Sequence, residues 1–188
     1  LRRHMAPVVM TLRELQGMRA QATASDAVLR ALYTSNVRIR GGGLTDTEAH
    51  GRALGAAVAE TTHLDVALHG LGPPFMRAFA ASLGANGALE TLDISGNLLC
   101  GSHRGMDHLG PAIASSKITR LNIASNDLHK NGGIEAVVDM LNKGGNGALE
   151  TLLMGNNGIN GAEAGKALGH ALAANTVLKE LDLSSQAG

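Results

Sequence analysis

The sequence predicts an α/β solenoid: a curved stack of strand-plus-helix units, with parallel strands on the concave face and helices on the convex face. Three observations carry this expectation. The segment Asn86 to Leu92 (NGALETL) recurs identically at Asn146 to Leu152. Around it runs a frame with offsets 0, 3, 5 and 8: Leu89, Leu92, Ile94 and Asn97, then Ile118, Leu121, Ile123 and Asn126, then Leu149, Leu152, Met154 and Asn157. A fourth copy reads Leu178, Leu181, Leu183 and Gln186. Finally, the second anchor of each copy (Val37, Leu64, Leu92, Leu121, Leu152, Leu181) recurs after 27, 28, 29, 31 and 29 residues. A sustained period in this range marks stacked-repeat architectures.

Residues 1–34 form an N-terminal helical cap or partial repeat. Thr11-x-x-Glu14 is a capping box, and Leu12, Leu15 and Met18 share one face behind it. Ser25 or Asp26 caps a second helix holding Val28, Leu29 and Leu32, the outer helix of a repeat whose strand is missing. Residues 35–188 hold about five and a half repeats. Each opens with an apolar alternation that reads as a short strand, such as Val37/Ile39, Leu64/Val66 and Leu92/Ile94. About ten residues later the period becomes helical. Leu54 and Val58 follow a capping box at Thr45-x-x-Glu48, and Phe75, Phe79 and Leu83 follow Pro73-Pro74. Leu109 and Ile113 flank Gly110-Pro111, which should kink or shorten that helix. Ile134, Val137, Val138 and Leu141 mark the next helix, and Ala164, Leu168 and Leu172 the last. Gly or Asn closes the helices at Gly84 to Gly87, Gly144 to Gly147 and Asn175.

The two periods dictate the curvature. Parallel strands stack ~4.8 Å apart, whereas helices need ~10 Å, so strands take the inner arc. Asn97, Asn126 and Asn157 leave the strand at a turn, where an amide can pair buried backbone groups. His69, Gly42 and Gln186 replace Asn in the other copies, so the ladder should weaken toward the ends.

The L-x-x-L-x-L-x-x-N-x-L frame resembles the leucine-rich repeat of the ribonuclease-inhibitor type, whose family includes the repeat domains of NLR immune receptors and Ran GTPase-activating proteins. The resemblance covers Ser35 to the end and is strongest from Gly87 to Leu183. It implies a horseshoe fold that binds other proteins. It also implies two alternatives: a GTPase regulator, or the sensor or autoinhibitory repeat domain of an NLR-like receptor. The frame specifies a fold and leaves the activity open.

Composition narrows the function. Of 188 residues, 16 are Lys or Arg and 16 are Asp or Glu, so no net charge favours counterion release from nucleic acid. Aromatics are 2%, too few for base-stacking platforms. The one cysteine, Cys100, excludes an internal disulfide framework and a multi-Cys metal site. No run of 18 apolar residues exists to span a membrane. Ala6 to Met10 is too short for a signal-peptide core, so a reducing, cytoplasmic setting is expected. A first residue of Leu, and Leu178 to Leu183 starting a strand with no helix after it, point to a fragment of a larger protein, or to end-to-end association through the C-terminal repeat.

The candidate site is the concave face. The column before the first strand anchor includes His63, Thr91, Arg120, Thr151 and Glu180. The column between anchors holds Arg38, Asp65, Asp93, Asn122, Leu153 and Asp182. Arg40, Ala67, Ser95, Ala124, Gly155 and Ser184 follow, mostly small enough for close approach. Asp65 and Asp93 favour a basic group, Leu153 is an exposed apolar anchor, and Arg38 and Arg40 are the basic residues open to a GTPase. No cofactor or metal is expected: His103, Asp107 and His108 lack ligand spacing, and Gly41-Gly42-Gly43 and Gly144-Gly145 lack the Lys-Ser/Thr of a phosphate loop. Cys100 has no His–Asp pair to activate it, and no catalytic constellation stands out.

Overall fold

A computed structural model describes residues 7–20, 36–40, 44–83, 86–101, 104–142 and 147–186. Seven strands run through it: β1 (Val8–Met10), β2 (Asn36–Ile39), β3 (His63–Asp65), β4 (Thr91–Asp93), β5 (Arg120–Asn122), β6 (Thr151–Leu153) and β7 (Glu180–Asp182). Between them the described helices are α1 (Leu12–Ala20), α2 (Glu48–Ala57), α3 (Pro73–Leu83), α4 (Met106–Ala114), α5 (Gly133–Asn142) and α6 (Ala162–Ala174). The strands form one parallel sheet in sequence order. Its register places Val8, Val37, Leu64, Leu92, Leu121, Leu152 and Leu181 in one row. The repeat frame and the hydrogen-bond register are therefore the same object. β1 was not expected, because Val8 to Met10 has no copy of the Asn turn behind it. The second N-terminal helix expected after Ser25 lies outside the described residues.

Alternation sends each anchor toward the helices and its neighbours to the opposite face. Leu64, Leu92, Leu121 and Leu152 are at most 1% exposed, and Val66, Ile94, Ile123 and Met154 are fully buried. Leu181, in the same row of β7, is only half-buried, and Leu183 is exposed. Burying one such Leu is worth about 1.5–3 kcal/mol, so each repeat depends on the next.

The helices close the other side. At α1 the expected capping box forms: the Glu14 backbone amide donates to Thr11 Oγ1 at 3.2 Å, and the Thr11 amide donates to Glu14 Oε2 at 2.6 Å. At α2 the box shifts. Thr47, not Thr45, accepts the His50 amide, while Thr45 bonds the His50 ring. Two residues nearer the helix, Thr47 holds the extended backbone that an N-cap needs. α2 and α3 pack backbone to backbone, since a Cβ on Gly51 would fall 2.4 Å from the Phe75 carbonyl oxygen. Phe75 and Phe79 stack behind that contact with centroids 5.6 Å apart. α4 holds Pro111 inside and spans only nine residues.

The turns after the strands share one conformation. Leu68, Gly96, Ser125, Asn156 and Ser185 occupy equivalent places and all have φ between 51° and 63°. The amides of Leu68, Gly96, Ser125 and Asn156 each donate to a carbonyl of the next repeat, so the ladder continues through the turn. Behind it sits the asparagine. Asn97 Oδ1 accepts the amides of His69 and Leu71 at 3.1 and 3.0 Å, and its Nδ2 donates to the carbonyls of Val66 and Ile94 at 3.0 and 2.8 Å. Asn126 and Asn157 likewise donate to carbonyls of their own and the preceding repeat. Gln186 departs from the expected weakening. Its Oε1 accepts the Asn157 and Ile159 amides and its Nε2 donates to Met154, so the longer amide still clasps the preceding turn. His69 fills the slot less well: its Nδ1 bonds the Ala67 carbonyl, and its buried Nε2 has no partner among the described residues.

A second amide set joins helices to strands. Asn86 Oδ1 accepts the Ala88 and Leu89 amides while its Nδ2 donates to Val58 O, and Asn175 repeats this toward Val177, Leu178 and Leu141.

Asn97→Ala takes their side-chain partner from the His69 and Leu71 amides and the Val66 carbonyl, while the Ile94 carbonyl keeps Asn126, and should destabilise the chain by about 3 kcal/mol in urea unfolding. Gln186→Ala, at a half-buried turn, should lose only about 1 kcal/mol.

Candidate protein-binding face

All twelve sequence-predicted residues lie on or beside the sheet face that points away from the helices. Across neighbouring strands His63 stands beside Thr91, Thr91 beside Arg120, and Thr151 beside Glu180. In the adjacent column Arg38, Asp65, Asp93, Asn122, Leu153 and Asp182 form a continuous row.

Much of that row's polarity is directed inward, into the protein's own backbone. Asp65 accepts the Ala67 amide, Asp93 the Ser95 amide, Asn122 the Ala124 amide and Asp182 the Ser184 amide, at 2.8–3.1 Å. Each is an Asx turn that steers the chain out of its strand. The carboxyl of Asp182 is held below the usual carboxylate range by the Ser184 amide and then by its hydroxyl. Arg38 and Leu153 have no carbonyl or carboxylate to make this turn. They are the row members whose chemistry is free of it.

The charges also pair along the face. Arg38 bonds Asp65 at 2.5 Å, Arg40 bonds Glu14 at 2.7 Å, and Asn122 bonds Asp93 at 2.9 Å. Arg120 reaches across β6 to Glu180 at 3.3 Å, and Thr151 Oγ1 donates to the same carboxylate. Glu14 is held below its ordinary range by the Thr11 amide first, then the Thr11 hydroxyl, with Arg40 adding to the effect. Arg38 and Arg40 keep 54% of their side chains exposed, so solvent screens these pairs and they open readily to a ligand. His63 bonds Thr62 at 2.9 Å. Leu153 is half-buried rather than exposed as expected, because the flanking strands β5 and β7 crowd it from both sides. Beside the row, Ala67, Ser95, Ala124, Gly155 and Ser184 form a shallow track of small residues.

Two apolar residues on the rim were missed by sequence reasoning. Leu68 is 82% exposed and Leu98 52% exposed, both on the turns that leave the sheet. Leu68 takes φ 61°, where its counterparts are Gly, Ser, Asn and Ser. The signal was present in the repeat alignment: one leucine in a column of turn formers.

Cys100 is fully buried, with its thiol pushed up to about 11 by burial. Asp107 and His108 are exposed at the start of α4, while His103 and both glycine runs lie outside the described residues. Among the described residues no group of three His, Cys, Asp or Glu side chains is placed to hold a metal ion. No described helix is long and apolar enough to cross a membrane.

Comparison with known proteins agrees with the geometry. Residues 114–135, from the end of α4 through β5 into α5, match the family described as Leucine Rich repeat. The fold is a leucine-rich-repeat solenoid. A solved structure titled leiomodin-1 actin-binding site 2 (ABS2) is similar, with a TM-score of 0.59 and 22% identity, over 71% of this chain and 76% of that one. At that identity the likeness is one of fold. No curated protein matches the chain.

Leu68→Asn should raise the unfolding free energy by about 1 kcal/mol, since Asn tolerates the left-handed region and little buried area is lost. For Cys100, a folded value of about 11 against an ordinary 9.0 cuts thiolate roughly 100-fold. Iodoacetamide labelling at pH 8 should therefore be at least that much slower in the native chain than in urea. The sign for stability follows: this group's contribution is intact below pH 9.0 and is lost as pH rises through about 11.

Proposed function

We propose that the chain is a non-catalytic protein-interaction module that holds a protein partner against the exposed sheet face. The observation that carries this reading is the face itself: in-register columns across β2 to β7 set exposed, readily opened ion pairs beside a track of small residues. The leucine-rich-repeat match and the similarity to a structure whose title names an actin-binding site support a protein as the ligand class. A partner exchanges the internal pairs Arg38–Asp65 and Arg120–Glu180 for pairs across the interface. Leu153, with small neighbours at Gly155 and Ala124, offers the apolar contact at its centre.

A GTPase regulator is the second reading. Arg38 and Arg40 lie two residues apart on the N-terminal part of this face, and among the described residues solvent-exposed ion pairs hold their guanidinium groups. A single-turnover GTP hydrolysis assay with purified small GTPases, showing no acceleration, would end this reading.

The test of the main reading keeps the Asx turns intact. The triple variant Asp65→Asn, Asp93→Asn and Arg120→Gln removes the charges while Asn still accepts the turn amides. Binding should be measured to monomeric actin and to peptides selected against the native chain from a displayed library. Ligands of this face should weaken at least ~10-fold with the triple variant, and also with Leu153→Glu, with circular dichroism unchanged. Retained affinity of every selected ligand in both variants would overturn the concave-face reading.

A further inference from the structure

The sequence holds five Asn-Gly pairs: Asn86-Gly87, Asn131-Gly132, Asn146-Gly147, Asn157-Gly158 and Asn160-Gly161. This dipeptide carries chemistry of its own. Glycine has no Cβ to shield its backbone nitrogen, so that nitrogen can attack Cγ of the asparagine before it and displace the side-chain amide. The reaction needs an unengaged glycine amide, a free asparagine side chain and backbone room to close the ring. Folding decides which pairs have them, since a site held by local structure must open before it reacts.

At two of the pairs the fold withholds all of this. Asn157 is 1% exposed; its Nδ2 donates to the Ile123 and Met154 carbonyls, and its Oδ1 accepts the Asn126 amide at 2.7 Å. Asn86 is 5% exposed, donates to the Val58 carbonyl at 2.7 Å and accepts the Ala88 and Leu89 amides. Asn131 is exposed, but its Nδ2 donates to the Cys100 carbonyl at 2.7 Å. The Arg104 guanidinium also lies over its glycine, where a Cβ on Gly132 would fall 2.4 Å from it. Asn146 lies outside the described residues.

Asn160 differs on each count. It is exposed, on irregular backbone between β6 and α6. Among the described residues neither its side-chain amide nor the Gly161 backbone amide has a hydrogen-bond partner. Gly161 is the N-cap of α6, with φ 88° and ψ 155°, and a Cβ built on it would meet nothing within 4 Å. An N-cap amide stands outside the helical ladder, so engaging it costs the helix no hydrogen bond.

We propose that Asn160-Gly161 is a self-modification site, at which the folded chain deamidates and acquires a charge without unfolding. The Gly161 nitrogen gives its proton to solvent and bonds to Cγ of Asn160. The bond from Cγ to the side-chain nitrogen breaks, and that nitrogen takes up a proton and leaves as ammonia. One water then opens the cyclic imide. Cleavage between Cγ and the Gly161 nitrogen gives aspartate; cleavage between the Asn160 main-chain carbonyl and that nitrogen gives isoaspartate, whose chain runs through Cγ. The net change is amide plus water to carboxylic acid plus ammonia, with no oxidant or reductant.

Both products add a carboxylate to a chain whose formal net charge is zero. It stands just ahead of α6, where Glu163 already occupies the first turn and the helix dipole favours negative charge. Asn160 also lines the groove between α5 and α6, so the new charge falls on the rim of that groove. The same event at Asn157 would remove the Nδ2 donor of its ladder; at Asn160 no hydrogen bond among the described residues is lost. This site is separate from the concave face, and its test does not depend on that reading.

The full native chain is incubated in mildly alkaline buffer, and conversion at each pair is followed by mass-spectrometric peptide sequencing. Isoaspartate is counted by labelling with an isoaspartyl-specific carboxyl methyltransferase. Among the described pairs Asn160 should convert first, at least ~10-fold faster than Asn157 and Asn86. In urea the rates should converge to within about threefold, with Asn160 changing least. Asn160→Asp, which carries the product charge from the start, should keep the native circular dichroism and urea midpoint. Conversion of Asn160 no faster than that of Asn157 or Asn86, or slower than that of Asn131, would overturn the proposal. So would a native rate at Asn160 more than ~10-fold below its rate in urea, or a lowered urea midpoint in Asn160→Asp.

Discussion

The amide side chain behind β4, β5, β6 and β7 is the interaction on which the solenoid depends. Every repeat bends the chain out of the sheet while still inside the core, and that bend exposes amides and carbonyls to an apolar environment. An unpaired group there costs about 1–3 kcal/mol. Asn97 answers with both ends of its amide, accepting from one repeat's turn while donating to carbonyls of that repeat and its own. The hydrogen bonds thus run between repeats as well as within them. Backbone pairing and hydrophobic stacking then reinforce one geometry, since the spacing that buries Leu92 on Leu121 also brings Asn97 to the turn before it.

This arrangement ties stability to neighbours. A row member with a strand on either side is buried almost completely, as Leu121 is, while Leu181 in β7 remains half-exposed with the same sequence context. Gln186 shows that the chemistry of the slot matters more than the residue name. One more methylene still lets its amide reach the Asn157 and Ile159 amides and the Met154 carbonyl. His69 shows the opposite case, where a ring fits the position but leaves a buried nitrogen without a partner among the described residues.

The two surfaces divide the polar groups differently. On the sheet face, Asp65, Asp93, Asn122 and Asp182 first secure their own turns and only then face solvent, and the arginines lie along them in pairs. Such a face is stable without a ligand yet held by exposed contacts that exchange at little cost. On the helical side, the groove between α5 and α6 sets Glu135, Asp139 and Glu163 beside Ile134, Val138 and Ile159, with Lys166 paired to Glu163. The rim leucines, Leu68 and Leu98, break the polar pattern of the turns between these surfaces.

How much was legible in the sequence follows from which information is local. Period and spacing named the strands β2 to β7, the helices behind them and the buried row from Val37 to Leu181, because repeating units repeat their contacts. They also placed all twelve candidate residues on one face, since alternation alone decides which way a strand residue points. Tertiary structure decided the rest. That Asp65 and Asp93 are engaged by their own backbone depends on turn geometry. That Leu153 is half-covered depends on strands about 30 residues away on each side. β1 joined the sheet by pairing with β2, without the Asn turn that follows β4, β5 and β6. The groove between α5 and α6 arises from the shapes of two helices facing each other. A sequence records which residues face inward or outward along one element; the space between two elements exists only once they pack.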